Sequence, residues 1–99
     1  MYNFNNYQPT FNKAIDHCAN IIGCARANNM PIKALHLQTN FYEWFKSGVK
    51  QIMANQGVPE SEIAEVDNEE SMLFDGVDIS KGSRFQTKPI IIEHYQSLN

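Results

Sequence analysis

The chain has 99 residues, of which 42% are apolar and 19% charged, and its formal net charge is −3. This length accommodates one hydrophobic core, and the composition is typical of a globular rather than a disordered chain. A net acidic chain is unsuited to general nucleic-acid binding, which requires a basic surface, and every apolar run is far shorter than the ~20 residues that span a bilayer. We therefore expect a cytoplasmic domain that binds neither nucleic acid nor membrane and carries no secretory signal at its start.

A first helix is predicted after residue 10. Thr10 can serve as its N-cap. An apolar stripe follows at alternating spacings of four and three residues: Phe11, Ile15, Cys18, Ile22 and Ala25. The segment ANNMP, residues 27–31, ends this helix, because Asn tolerates a left-handed conformation and Pro cannot continue the helix. Residues 32–37, IKALHL, then predict a short strand.

The second predicted helix has the most continuous apolar face. Asn40 as N-cap with Glu43 three residues later resembles a capping box, although Asn replaces the usual Ser or Thr. The apolar face repeats with helical spacing: Phe41, Trp44, Phe45, Gly48, Val49, Ile52 and Met53. Gly57 provides the stop. We expect this helix to organise the core.

Residues 58–72 predict an acidic connector. Pro59 suits the first turn of a short third helix, and residues 66–72 are interpreted as a loop. Residues 60–70 hold six acids and no base: Glu60, Glu62, Glu65, Asp67, Glu69 and Glu70. Residues 1–59, in contrast, carry five bases against two acids. The acidic run is either a solvated connector or a docking surface for a basic partner.

The segment 71–95 predicts a strand, a tight turn and a second strand. The first strand covers residues 73–79, the turn residues 80–83 and the second strand residues 84–95. Gly82 is expected to take a positive φ in the turn. In this register Asp75 faces Lys88, a cross-strand pair of opposite charge, and the apolar residues 90–92 are buried on both sides.

The predicted order of elements is α-β-α-(α)-β-β. We expect a single α+β domain over residues 1–99, in which a small antiparallel or mixed sheet packs against two main helices. Residues 1–10 form an N-terminal arm whose Tyr2, Phe4 and Tyr7 are large anchors. These aromatic residues either pack back on the domain or contact a partner.

Histidine, cysteine and carboxylate residues show no pattern typical of a cofactor, metal or catalytic site. The candidate metal ligands, which are His17, Cys18, Cys24, His36 and His94, lack the close pairs that converge on zinc. Cys18 and Cys24 point to opposite sides of the first helix, so we expect buried free thiols in a reducing compartment. Asp75, Asp78 and Glu93 are interpreted as solvated strand charges.

These features favour a non-enzymatic protein-binding module without a cofactor. A small acidic domain of this kind suits an inhibitor or adaptor, such as those that phages encode, which docks on a basic partner through the acidic run and the aromatic arm. Two alternatives stay open. One is a structural subunit of a homo-oligomeric or virion-like assembly that uses the arm and the sheet edge. The other is a small metal- or thiol-dependent enzyme that uses His36, His94 or the cysteines.

Overall fold

The structure, a computed structural model, describes residues 12–95. Its helices are α1 (Lys13–Ala27), α2 (Thr39–Asn55) and α3 (Glu60–Glu65), which continues into a 3-10 turn (Val66–Asn68). Its strands are β1 (Ile32–Leu37), β2 (Ser71–Phe74), β3 (Val77–Lys81) and β4 (Ile90–His94). They form one mixed sheet in the order β2-β3-β1-β4, in which β1 is parallel to β3 and antiparallel to β4. The predicted α+β class is confirmed.

Helix α1 begins at an asparagine cap. The Asn12 side chain accepts a hydrogen bond from the backbone N–H of Ile15 at 3.0 Å, which satisfies a donor that the first helical turn leaves free. Its amide nitrogen donates to the carbonyl of Trp44 at 2.9 Å and thereby ties α1 to α2. The cap is therefore not Thr10, which lies outside the described residues.

The rest of α1 follows the prediction. Ile15, Cys18 and Ile22 are buried along one stripe. Asn28 is the C-cap, and Asn29 adopts a left-handed conformation with φ 55°. The segment that was predicted to end the helix therefore does so by the expected route.

Helix α2 is rotated relative to its predicted orientation. Its buried residues are Tyr42, Phe45, Lys46, Gly48, Val49, Ile52 and Met53. Trp44, predicted to be in the core, is 46% exposed, and Phe41 is only partly buried. The rotation is possible because Tyr42 and Lys46 have apolar stems, and their polar ends reach hydrogen-bond partners at the margin of the core.

The start of α2 also differs from the prediction. The N-cap is Gln38, which makes no side-chain capping bond, and Asn40 lies inside the first turn. The predicted capping box is therefore wrong. The predicted stop is confirmed, because Gly57 follows the helix with φ 79°.

A two-residue turn at Asp75 and Gly76 joins β2 to β3. Both residues have positive φ, 53° and 78°, as a primed hairpin turn requires, and Asp-Gly is a preferred sequence for it. The predicted single strand over residues 73–79 is therefore two strands, with Phe74 opposite Val77. Gly82 is not among the glycines with positive φ, so the predicted turn at residues 80–83 is wrong.

Strand β4 pairs with β1 and not with β3. Leu35 lies opposite Ile92, and Leu37 lies opposite Ile90. The predicted pair of Asp75 and Lys88 does not form, since the Asp75 carboxylate contacts Arg26 at 2.6 Å. Residues 90–92 are not buried on both sides either, because β4 is an edge strand.

The helices pack on one face of the sheet, and α1 and α2 lie in close contact at Gly48. Phe45 of α2 meets Phe74 of β2 edge-to-face, with 5.5 Å between ring centroids. A Cβ atom at position 48 would lie 2.6 Å from Cγ1 of Ile15 and 2.7 Å from Cγ of Asn12. Only glycine allows α1 and α2 to approach this closely.

We predict opposite effects of alanine at two helical glycines. Gly48→Ala lowers the free energy of unfolding by about 1–3 kcal/mol, because overpacking against α1 outweighs the gain in helix propensity. Gly23→Ala raises it by about 0.5–1 kcal/mol, because the Cβ position at Gly23 has nothing within 4 Å. Urea unfolding measures both values, and equal shifts would contradict the packing at Gly48.

Candidate functional site

The acidic segment, residues 60–70, is largely helical. It comprises α3, the 3-10 turn and the two residues that lead into β2. The predicted short third helix is confirmed, but the predicted loop over residues 66–72 is in part a 3-10 turn and in part strand. Every acidic side chain of the segment is exposed except that of Glu69, which is partly buried.

Helix α2 holds the acidic segment through three side chains. The Tyr42 hydroxyl donates to the carbonyl of Glu69 at 2.9 Å, and the buried Lys46 amine donates to the carbonyl of Asp67 at 3.3 Å. Lys50 contacts both carboxylate oxygens of Asp67, at 3.0 and 3.1 Å. Burial, assisted by nearby carboxylates, raises the pKa of Tyr42 to about 12, so its hydroxyl stays protonated and donates at neutral pH.

The lysines divide the acidic segment into two parts. Asp67 is paired with Lys50, and Glu70 lies 3.8 Å from Lys81. Helix α3 contains three glutamates and no base. All three glutamates of α3 are exposed, and they lie in a run of six acids without a base. The acidic character of the segment therefore extends over the whole of α3.

The face of the sheet opposite the helices carries a row of polar side chains. His36 stands at its centre on β1. Its Nδ1 atom lies 2.8 Å from the Ser80 hydroxyl on β3, and its Nε2 atom lies 2.9 Å from the Glu93 carboxylate on β4. Lys33 also approaches Glu93, at 3.5 Å. The row connects three adjacent strands.

No pattern in the sequence predicts this row. Ser80 and Glu93 are 44 and 57 residues from His36, and only the pairing of β1 with both β3 and β4 brings them together. Polar and apolar residues alternate along β3 but not along β1 or β4. The shared polar face can therefore be recognised only after the strand register is known.

The His36 imidazole keeps Glu93 ionised. The hydrogen bond from His36, followed by contacts with Lys33, holds the pKa of Glu93 below its ordinary value. An ionised Glu93 accepts from Nε2–H, and Nδ1 then accepts from the Ser80 hydroxyl. This order of donors and acceptors satisfies all three side chains.

A serine, a histidine and a carboxylate in a hydrogen-bonded row are also the components of acyl-transfer triads. Such chemistry needs donors that stabilise an oxyanion beside the serine. Strand β3 is interior, and its backbone N–H groups beside Ser80 are committed to the ladders with β1 and β2. The row links three strands, and the backbone N–H groups of Lys81 and Gly82, which follow Ser80, are engaged with the carbonyls of Glu70 and Leu37.

Residues 12–95 contain no cluster of three or more His, Cys, Asp or Glu side chains that could hold a metal ion. Cys18 and Cys24 are both free thiols. Cys18 is buried as predicted, and burial raises its pKa to about 12. Cys24 is exposed, so its predicted burial is wrong, because it lies off the apolar stripe of α1.

Over the same residues, no helix combines the length and the apolar character that crossing a membrane requires. The predicted contact residues Tyr2, Phe4 and Tyr7 lie outside the described residues. Comparison of the chain with protein-family models, with curated proteins and with solved structures gives no match.

We predict that Glu93→Gln changes the pH dependence of stability. Because the folded-state pKa of Glu93 is lowered, its stabilising contribution is present above its ordinary pKa of 4.5 and is lost as the pH falls through the lower folded value. The wild type is therefore more stable than Glu93→Gln at neutral pH, and the difference shrinks progressively as the pH falls below 4.5. Urea midpoints across pH measure this difference.

His36→Asn provides the control. In that background Glu93→Gln is expected to have little further effect, because the main cause of the lowered pKa is already absent. A pH-independent difference between Glu93→Gln and the wild type would contradict the assigned role of this contact.

Proposed function

We propose that this protein is a non-enzymatic protein-binding module, an inhibitor or adaptor that docks on a basic surface of a partner protein. The observation that carries the proposal is the exposed acidic surface of α3, with Glu60, Glu62 and Glu65. Surfaces of this kind accelerate encounter with a basic partner and discriminate against acidic ones.

The anchoring of the acidic segment supports the proposal. A flexible acidic tail loses conformational entropy when it binds, whereas a segment already fixed in place loses less. Tyr42, Lys46 and Lys50 fix the segment directly after α3, at Asp67 and Glu69. Ile63 packs against the core from within α3. The glutamates of α3 are thus presented on a preformed surface.

The six acids then have different roles in the proposal. Asp67 and Glu70 contact lysines of the same chain and hold the segment in place. Glu60, Glu62 and Glu65, which are exposed on α3, are the residues that meet the partner. Tyr2, Phe4 and Tyr7 remain proposed contacts of the N-terminal arm.

The non-enzymatic part of the proposal rests on the polar row. Its serine lies on the interior strand β3, and the two backbone N–H groups that follow Ser80 are engaged with other carbonyls. The free thiols of Cys18 and Cys24 favour the reducing environment of the cytoplasm as the place of action.

We predict that the triple variant Glu60→Gln, Glu62→Gln and Glu65→Gln loses partner binding. Partners are captured from lysate with the wild type, and each is then purified and tested alone by surface plasmon resonance. The association rate falls at least about tenfold in the variant and falls with rising salt in the wild type.

Asp67→Asn is the matched control from the same segment. It removes the contact with Lys50 and is expected to lower stability by about 0.2–1 kcal/mol, as exposed ion pairs do, with a smaller effect on the association rate. A purified partner that binds the triple variant as fast as the wild type would contradict docking through α3.

We also predict that Ser80 is not a nucleophile. A fluorophosphonate probe is expected to leave Ser80 unmodified in peptide mass spectra, and Ser80→Ala is expected to bind the partner normally. Labelling of Ser80 that His36→Asn abolishes would contradict the non-enzymatic proposal and favour acyl-transfer chemistry.

A further inference from the structure

Among the residues that the structure describes, no strand pairs with the outer side of β4. This strand is the last in the sheet order, so in residues 12–95 only β1 pairs with it. The backbone N–H of Gln38 donates to the carbonyl of Pro89 at 2.9 Å, and that of Gly82 donates to the carbonyl of Leu37 at 2.7 Å. Backbone N–H and C=O groups of successive residues in a strand point to alternate sides. Since the Pro89 carbonyl points to β1, the backbone groups of Ile91 also point to β1, and those of Ile90 and Ile92 point outwards.

The side chains along this edge are mostly apolar and exposed. Ile91 and Ile92 are each 43% exposed, and Tyr95, directly after the strand, is 59% exposed. Exposed apolar edges pair with other strands unless charges or bulges protect them. The acidic side chain of β4, Glu93, is turned inwards across the sheet to His36 and Lys33 of β1. Glu93 and the register irregularity beside it lie at the C-terminal end of β4, so residues 90–92 keep a regular pairing with β1 and an apolar outer edge.

The opposite edge of the sheet has a different character. Strand β2 follows directly after Glu69 and Glu70, at the end of the acidic segment. Two copies joined along β2 would bring these acids close together, and like charges oppose pairing. The β4 edge has no such run of acids.

We propose that β4 pairs antiparallel with β4 of a second copy of this chain across a two-fold axis. In the proposed register Ile91 lies opposite Ile91 of the partner copy, and Ile90 lies opposite its Ile92. The outward N–H and C=O groups of Ile90 and Ile92 then bond across the interface. Each copy adds its sheet to the other, and the helices of both copies lie on the same side.

Side-chain chemistry selects this register over its neighbours. Moving the axis to residue 92 places Ile91 opposite Glu93, an apolar side chain against a charged one. Moving it to residue 93 places Glu93 opposite Glu93, a pair of like charges. Only the axis at residue 91 brings the three isoleucines of each strand together.

This dimer does not depend on docking through α3. The acidic segment leads into β2 at one edge of the sheet, and the proposed interface lies at the other edge. Substitutions in β4 therefore test assembly, and substitutions in α3 test partner binding.

Cysteine crosslinking tests the register. In a Cys24→Ser background, which removes the exposed thiol, Ile91→Cys and Ile92→Cys are compared under mild oxidation. The non-hydrogen-bonded pair at residue 91 places the two Cα atoms about 4.5 Å apart, within the range of a disulfide. Ile91→Cys is expected to form a covalent dimer at least about tenfold faster than Ile92→Cys. Faster crosslinking of Ile92→Cys, or equal slow rates, overturns the proposed register.

Sedimentation equilibrium tests the dimer without new thiols. The wild type is expected to remain a dimer in about 0.5 M salt. Salt at this concentration screens charge–charge interactions strongly, but it has little effect on backbone hydrogen bonds and apolar contacts. Ile91→Lys weakens dimerisation at least about tenfold by opposing two charges at the axis. Ser47→Lys, an equal charge change on the exposed side of α2, leaves the dimer intact. A monomeric wild type, or a dimer unaffected by Ile91→Lys, overturns the proposal.

Discussion

The packing of α2 on the sheet is the contact on which the rest of the molecule depends. Phe45 is fully buried against Phe74, and the chain passes through α2 between the parallel strands β1 and β3. A crossover of this kind places its helix on one face of the sheet. The rotation of α2 about its axis then decides which of its side chains reach the acidic segment.

Because of that rotation, α2 both packs in the core and makes hydrogen bonds to the acidic segment. Tyr42 and Lys46 bury their stems in the core and use their polar ends to hold the backbone of Glu69 and Asp67. A helix turned towards Phe41 and Trp44 instead would bury two large aromatics but leave this segment without its anchors. The protein-binding surface that we propose on α3 is thus a consequence of how the core packs.

Within residues 12–95, the same packing leaves the opposite face and one edge of the sheet without helices. The polar row through His36 lies on that face and holds the Glu93 side chain across the sheet. The apolar character of the β4 edge therefore depends on a contact with the neighbouring strand β1. Two surfaces result, an acidic one beside β2 and an apolar one along β4, and they suit different kinds of contact.

Short sequence patterns predict correctly those helices and strands whose boundaries depend on nearby residues. The apolar stripe of α1, strand β1 and the stop at Gly57 follow from short-range spacing and turn residues. The predicted hairpin turn is at residues 80–83. Asp75-Gly76 is the stronger turn signal, and a turn at that position predicts the two strands β2 and β3. The pairing of β4 with β1 joins residues more than 50 apart, and no periodicity encodes it. The polar row was missed for the same reason.

Amide hydrogen exchange of β4, followed by NMR, tests most directly whether this edge is a contact surface. The amides of Ile91 and Glu93 point to β1 and should be protected at every protein concentration. Those of Ile90 and Ile92 should exchange quickly in dilute protein and become protected as the concentration rises, because pairing with a second copy covers them. Fast exchange of Ile90 and Ile92 at all concentrations would contradict the account.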